Sequence, residues 1–144
     1  MFILQKIVYL NNKKTFIVER VKLELEFVIK SSPTILYQYL STPSGLVEWF
    51  CDDVNIKGSK QYSFFWDGSE NKAELVKKVN GKLIKFKLLD NPSDEYFQFE
   101  VTKDELTGDI GLLITDFVDE DEVEEMNLLW ESQVTDLKHA LGLA

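Results

Sequence analysis

VKLELEFVIKSSPTILYQYLSTPSGLVEWF, residues 21–50, changes period halfway along. In its first third Val21, Leu23, Leu25, Phe27 and Ile29 alternate with Lys22, Glu24, Glu26, Val28 and Lys30. A period of two with charges on one side predicts a strand with one buried and one wet face. The pattern then turns helical. Ser32 can cap a helix with Pro33 at its first position, and Ile35, Leu36, Tyr39 and Leu40 follow at helical spacing. Thr42 and Pro43 repeat the start signal, so a second short helix is expected there. Leu46, Trp49 and Phe50 fall at i, i+3 and i+4 and would share its inward face.

Downstream, the signals are strands and turns. Turns are expected at KGSK (57–60), DGSEN (67–71), NG (80–81), DNPSDE (90–95) and KDELTGD (103–109). Between them lie alternating sets: Tyr62, Phe64 and Trp66; Ala73 to Val79; Ile84, Phe86 and Leu88; Phe97, Phe99 and Val101; and Ile110, Leu112 and Ile114. Short turns between successive strands make an antiparallel meander. A long helix is expected over roughly 120–141, with Val123, Met126, Trp130, Val134, Leu137 and Leu141 on one side. Its acids come first, and Lys138 and His139 come last, as the helix dipole favours. The order is strand, two short helices, about six strands and a long helix, which predicts α+β architecture. A curved antiparallel sheet with one apolar face needs cover, and the C-terminal helix is the one element long enough to give it.

Residues 1–20 fit this plan least well. FILQKIVYL and TFIVER flank the turn-like NNKK, and the segment is expected to be an extra hairpin or a loosely attached extension ahead of a domain over 21–144. If unpaired, so apolar a segment would promote association. Its first ten residues lack the basic start and small-residue cleavage site of a secretion signal.

With 144 residues, 44% hydrophobic and 28% charged, the chain reads as one ordinary globular domain. No apolar run approaches the ~18 residues of a membrane span, so a soluble, cytoplasmic protein is expected. One cysteine and one histidine leave little room for a disulfide, a multi-cysteine metal site or a catalytic triad. A net charge of −9 argues against nucleic acid, whose phosphates call for a basic face. The charge is uneven: DEDEVEE (119–125) holds six acids, whereas residues 1–20 carry four bases and one acid.

Thr42-Pro43 followed by Trp49-Phe50, then TGDIGLLITDF (107–117) and LLWESQVTDLKHALG (128–142) with Trp130, together resemble the START-like superfamily. This is the helix-grip fold of birch-pollen-allergen type. Within it the chain is most similar to bacterial relatives of the activator of the heat-shock-protein ATPase. The resemblance covers roughly residues 21–143. It implies a cavity between sheet and long helix. Members of the superfamily range from lipid and hormone binders to cyclases and co-chaperone-like proteins, and no catalytic motif carries over to these positions. Fold alone does not supply the function.

The candidate lining of that cavity is Trp49, Phe50, Phe64, Trp66, Phe86, Phe97, Phe99 and Trp130, most of which alternation turns toward the concave side. Rings in that place either contact a flat or greasy ligand or fill the space as core. Lys85, Lys87, Gln98 and Glu100 fall on the opposite face, which predicts an inner face nearly free of acids and bases. The adjacent acids Asp52 and Asp53, with Asp67 and Glu70 in a turn, offer carboxylates for acid–base work or a cation, but in loops such groups are ordinarily just solvated. Cys51 beside them is expected to be a small buried residue with an unreactive thiol, and His139 a surface group at a helix end. No catalytic residue, metal or cofactor is assigned. Binding of a small apolar or aromatic ligand ranks first, a co-chaperone-like module binding a protein partner second, and a cavity cyclase or hydrolase third.

Overall fold

A computed structural model describes residues 5–10, 13–90 and 94–143, with side chains from residue 19 onward. β1 (Gln5–Leu10) and β2 (Lys13–Val18) form a two-stranded antiparallel ladder running from the pair Gln5–Val18 to the pair Leu10–Lys13. Residues 11–12 of NNKK and 91–93 of DNPSDE lie outside the described residues, and Lys13 and Lys14 already belong to β2.

The main sheet has seven antiparallel strands in the order β3-β9-β8-β7-β6-β5-β4. These are β3 (Arg20–Val28), β4 (Asp53–Lys57), β5 (Gln61–Trp66), β6 (Ser69–Val79), β7 (Leu83–Leu88), β8 (Tyr96–Lys103) and β9 (Ile110–Asp119). Strands β4 to β9 are a plain meander. β3 sits beside the last of them, with Arg20 opposite Asp119 and Val28 opposite Gly111. The chain must therefore pass from one sheet edge to the other between β3 and β4, and the two short helices make that crossing. A single turn of 3-10 helix, Glu120–Glu122, leads into the long helix α3 (Val123–Ala140). This is the α+β helix-grip architecture.

The crossing is built by hydroxyl caps. Ser32 Oγ accepts the Ile35 amide at 3.1 Å and opens α1 (Pro33–Ser41). Thr42 ends α1 and opens α2 (Pro43–Leu46): its hydroxyl donates to the Gln38 carbonyl at 2.7 Å and accepts the Gly45 amide at 3.0 Å. Gly45 permits the sharp fold-back, because a Cβ there would lie 2.6 Å from Tyr39 Cα. The second helix is shorter than the i, i+3, i+4 pattern suggests. After Leu46 the chain continues in turns, and the Leu46 carbonyl accepts the amides of Trp49, Phe50 and Cys51. Both rings of the Trp-Phe pair nevertheless end up buried.

The turn at 67–71 is tighter than expected. Asp67 (φ 49°) and Gly68 (φ 81°) form a two-residue connection, and β6 resumes at Ser69. Positive φ at both central residues matches the twist of the flanking strands.

The core lies between the concave face of the sheet and α3. Phe64, Phe86, Phe99, Leu112 and Ile114 meet no solvent on the sheet side, and Trp130, Val134 and Leu137 face them from the helix. Each such side chain contributes roughly 1.5–3 kcal/mol by leaving water. Lys85, Lys87, Gln98 and Glu100 lie on the other face and remain partly exposed. No helix among the described residues is long and apolar enough to cross a membrane.

Candidate functional site

Phe50 is the hub of the aromatic cluster. Its ring touches those of Trp49, Phe64, Trp66, Phe97, Phe99 and Trp130, with centroids 5.1–6.0 Å apart. Its carbonyl accepts Trp66 Nε1–H at 2.5 Å and Gln133 Nε2–H at 3.1 Å. One backbone oxygen thus ties the segment after α2 to strand β5 and to helix α3. Trp49 turns the other way and donates its indole N–H to the Tyr39 carbonyl at 2.8 Å.

Between the first half of α3 and the sheet, a half-open cavity of about 390 Å³ remains. Its apolar wall is Phe50, Trp66, Leu88, Phe97, Met126 and Trp130, with Leu129 at the rim. The eight candidate rings therefore divide. Phe50, Trp66, Phe97 and Trp130 border the cavity. Trp49, Phe64, Phe86 and Phe99 do not; they are buried beneath it, packed against the same cluster. The division follows from where α3 crosses the sheet, which strand alternation does not encode.

The polar part of the wall is Asn71, Asp116 and Gln133. Asp116 is the acid on an inner face expected to be nearly free of acids and bases. In β9 the inward row reads Leu112, Ile114, Asp116, Val118, so the carboxylate takes an apolar position. Its Oδ2 accepts Trp130 Nε1–H at 3.1 Å, and its Oδ1 accepts the Phe117 amide at 2.8 Å. Burial pushes its pKa above the ordinary carboxylate value, against the pull of these two hydrogen bonds and of Arg20. Arg20 is itself held by Glu95 at 2.5 Å and Asp119 at 2.9 Å. The alternation that marks Leu112 and Ile114 as inward marks Asp116 too, so the signal was present two residues past the expected end of the strand. Gln133 and Asn71 carried no such signal, since polar residues on a helix or strand ordinarily face water.

The remaining candidates lie elsewhere. Asp52 accepts the Asp67 amide at 2.7 Å and Asp53 accepts the Val54 amide at 2.8 Å, so both serve loop geometry. Cys51 is buried, and burial together with Asp53 and Asp52 pushes its thiol up to about 12. A thiol so protonated is a poor nucleophile. His139 is exposed near the end of α3. Carboxylate oxygens of Asp119, Asp121 and Glu122 come within 4.8 Å of one another outside the cavity, with Asp119 bonded to Arg20.

Residues 17–143 match the family profile of a START-like superfamily domain. The solution structure of BfR322 from Bacteroides fragilis is 35% identical, over 87% of this chain and 93% of that one, with a TM-score of 0.59. The solution structure of the Aha1 dimer from Colwellia psychrerythraea is 22% identical, over 84% and 96%, with a TM-score of 0.69, a likeness of fold. No curated protein matches the sequence.

Proposed function

The chain belongs to the START-like superfamily, and on that footing we propose that it binds a small apolar or aromatic ligand in the cavity between sheet and C-terminal helix. The observation that carries this reading is the cavity itself: about 390 Å³, walled by four aromatic rings, with three polar side chains among them. Ligand pockets fall typically at about 300–1,000 Å³ and combine an apolar wall with a few orienting polar groups. What sets this depression apart is its lining: the rings of Phe50, Trp66, Phe97 and Trp130 border it, whereas Phe64, Phe86 and Phe99 are wholly enclosed. Binding also outranks catalysis on this geometry. Asp116 is the one ionisable group in the wall among the described residues, and acid–base chemistry ordinarily draws on several converging groups.

Native mass spectrometry of the purified protein, followed by solvent extraction, is the test. A retained small molecule, or saturable uptake of a neutral naphthalene probe, is the expected result. A protein that is empty and takes up no apolar probe at millimolar concentration would rule the reading out.

A further inference from the structure

Asp116 places a carboxylate in an otherwise uncharged wall. A carboxylate offers about four lone-pair positions. The Phe117 amide and the Trp130 indole take one each, which leaves acceptor capacity on a side chain that borders the cavity. No lysine, arginine or histidine lines the cavity among the described residues. Arg20, the cation that acts on Asp116 from outside, is bound by Glu95, Asp119 and the Phe117 carbonyl. Arg20 is thus shared between Asp116 and two further carboxylates, Glu95 and Asp119. The acidic run 119–125 begins at the last residue of β9, and the chain as a whole carries −9. Such a field draws cations toward the mouth and repels anions. The four rings add to this, because aromatic faces attract a cation that has left water.

We propose that the cavity selects amphipathic amines: the apolar body of the ligand lies among Phe50, Trp66, Phe97 and Trp130, and its ammonium group meets the Asp116 carboxylate. This rests on the cavity being a ligand site, as argued above, and adds the chemical class. Asp116 acts as the specificity-determining residue. Asn71 and Gln133 are neutral and supply orientation for either an amine or an alcohol.

Isothermal titration of the intact protein at neutral pH with naphthylethylamine, naphthylethanol and naphthylacetate tests it. A charge-assisted hydrogen bond is worth about tenfold or more in affinity, so the amine should bind at least about tenfold tighter than the alcohol, and the acetate weakest. In Asp116→Asn the amine should fall to within about twofold of the alcohol measured on the same variant. The ranking in the unaltered protein stands even if that variant fails to fold. Equal binding of amine and alcohol to the unaltered protein, or an amine advantage that survives Asp116→Asn, overturns the amine inference and leaves the cavity reading in place. Failure of all three probes to bind overturns both.

Discussion

At one end of the concave face Phe64, Phe86 and Phe99 meet no solvent at all, whereas at the other Trp66 is partly exposed and Phe50, Phe97 and Trp130, 4–5% exposed, edge the half-open cavity. Both regions are built from the same rings, and they share contacts such as Phe50–Phe99 and Phe86–Phe97. The polar groups make the difference. The inward row of β9 is Leu112 and Ile114 at the closed end and Asp116 at the open one, and α3 presents Val134 and Leu137 to the first and Gln133 to the second. A carboxyl group set among apolar side chains loses hydration, which favours a half-open space beside Asp116 where Leu112 is closed over. Aromatic content therefore does not distinguish a core from a pocket; the polar residues set among the rings do.

Truncation should separate the two regions most sharply. Phe99→Ala at the closed end is expected to cost about 3–5 kcal/mol in chemical denaturation, because it removes buried surface and leaves a void. Leu129→Ala at the rim, 48% exposed, should cost less than about 1 kcal/mol. Equal losses would mean that the mouth is as closed as the core.

Gly45→Ala comes next. A methyl group 2.6 Å from Tyr39 Cα has no side-chain escape, so a loss of roughly 1–3 kcal/mol is expected from the displaced crossing. Because Trp49 bonds to the Tyr39 carbonyl, its indole fluorescence should shift in the same variant. An unchanged midpoint and spectrum would show that α1 and α2 do not hold the rings in place.

Gln133→Ala removes one of two donors to the Phe50 carbonyl and should cost about 0.5–1.5 kcal/mol. Since it widens the mouth, probe binding should weaken less than it does on loss of Trp66, which supplies both the other donor and a wall of the cavity.

The smallest effect is a slope. Burial raises the folded-state pKa of Asp116 above the ordinary 3.8, so the folded chain keeps that proton to higher pH than the unfolded chain does. Its contribution to stability is then most favourable below 3.8 and declines as pH rises through the folded value. Asp116→Asn abolishes this decline. The stability of the variant relative to the unaltered protein should improve between about pH 4 and neutrality, and a flat difference across that range would contradict the assigned burial.

Much of the fold could be read directly from local pattern. The alternation of Val21 to Ile29 is β3, the Ser32-Pro33 and Thr42-Pro43 pairs open α1 and α2, and the spacing of Val123 to Leu137 is the inward stripe of α3. Each of these is a short-range signal that needs no knowledge of partners. The site was legible only in part. Phe50, Trp66, Phe97 and Trp130 were recognisable as inward rings, but so were Trp49, Phe64, Phe86 and Phe99, and their separation depends on the path of α3 over the sheet. Asp116 followed the same alternation as Leu112 and Ile114, yet an acid near a strand end reads as solvated until its neighbours are known. The part played by the Phe50 carbonyl has no sequence signal, since a backbone oxygen is the same at every residue.

Methyl-resolved NMR during titration with naphthylethanol, the neutral probe, tests the central claim most directly. Methyl signals of Leu88, Met126 and Leu129 should shift saturably, while those of Ile84, Leu112 and Ile114 at the closed end stay in place. Shifts that never saturate, or that appear at the closed end and not at the mouth, would contradict a ligand site between sheet and helix.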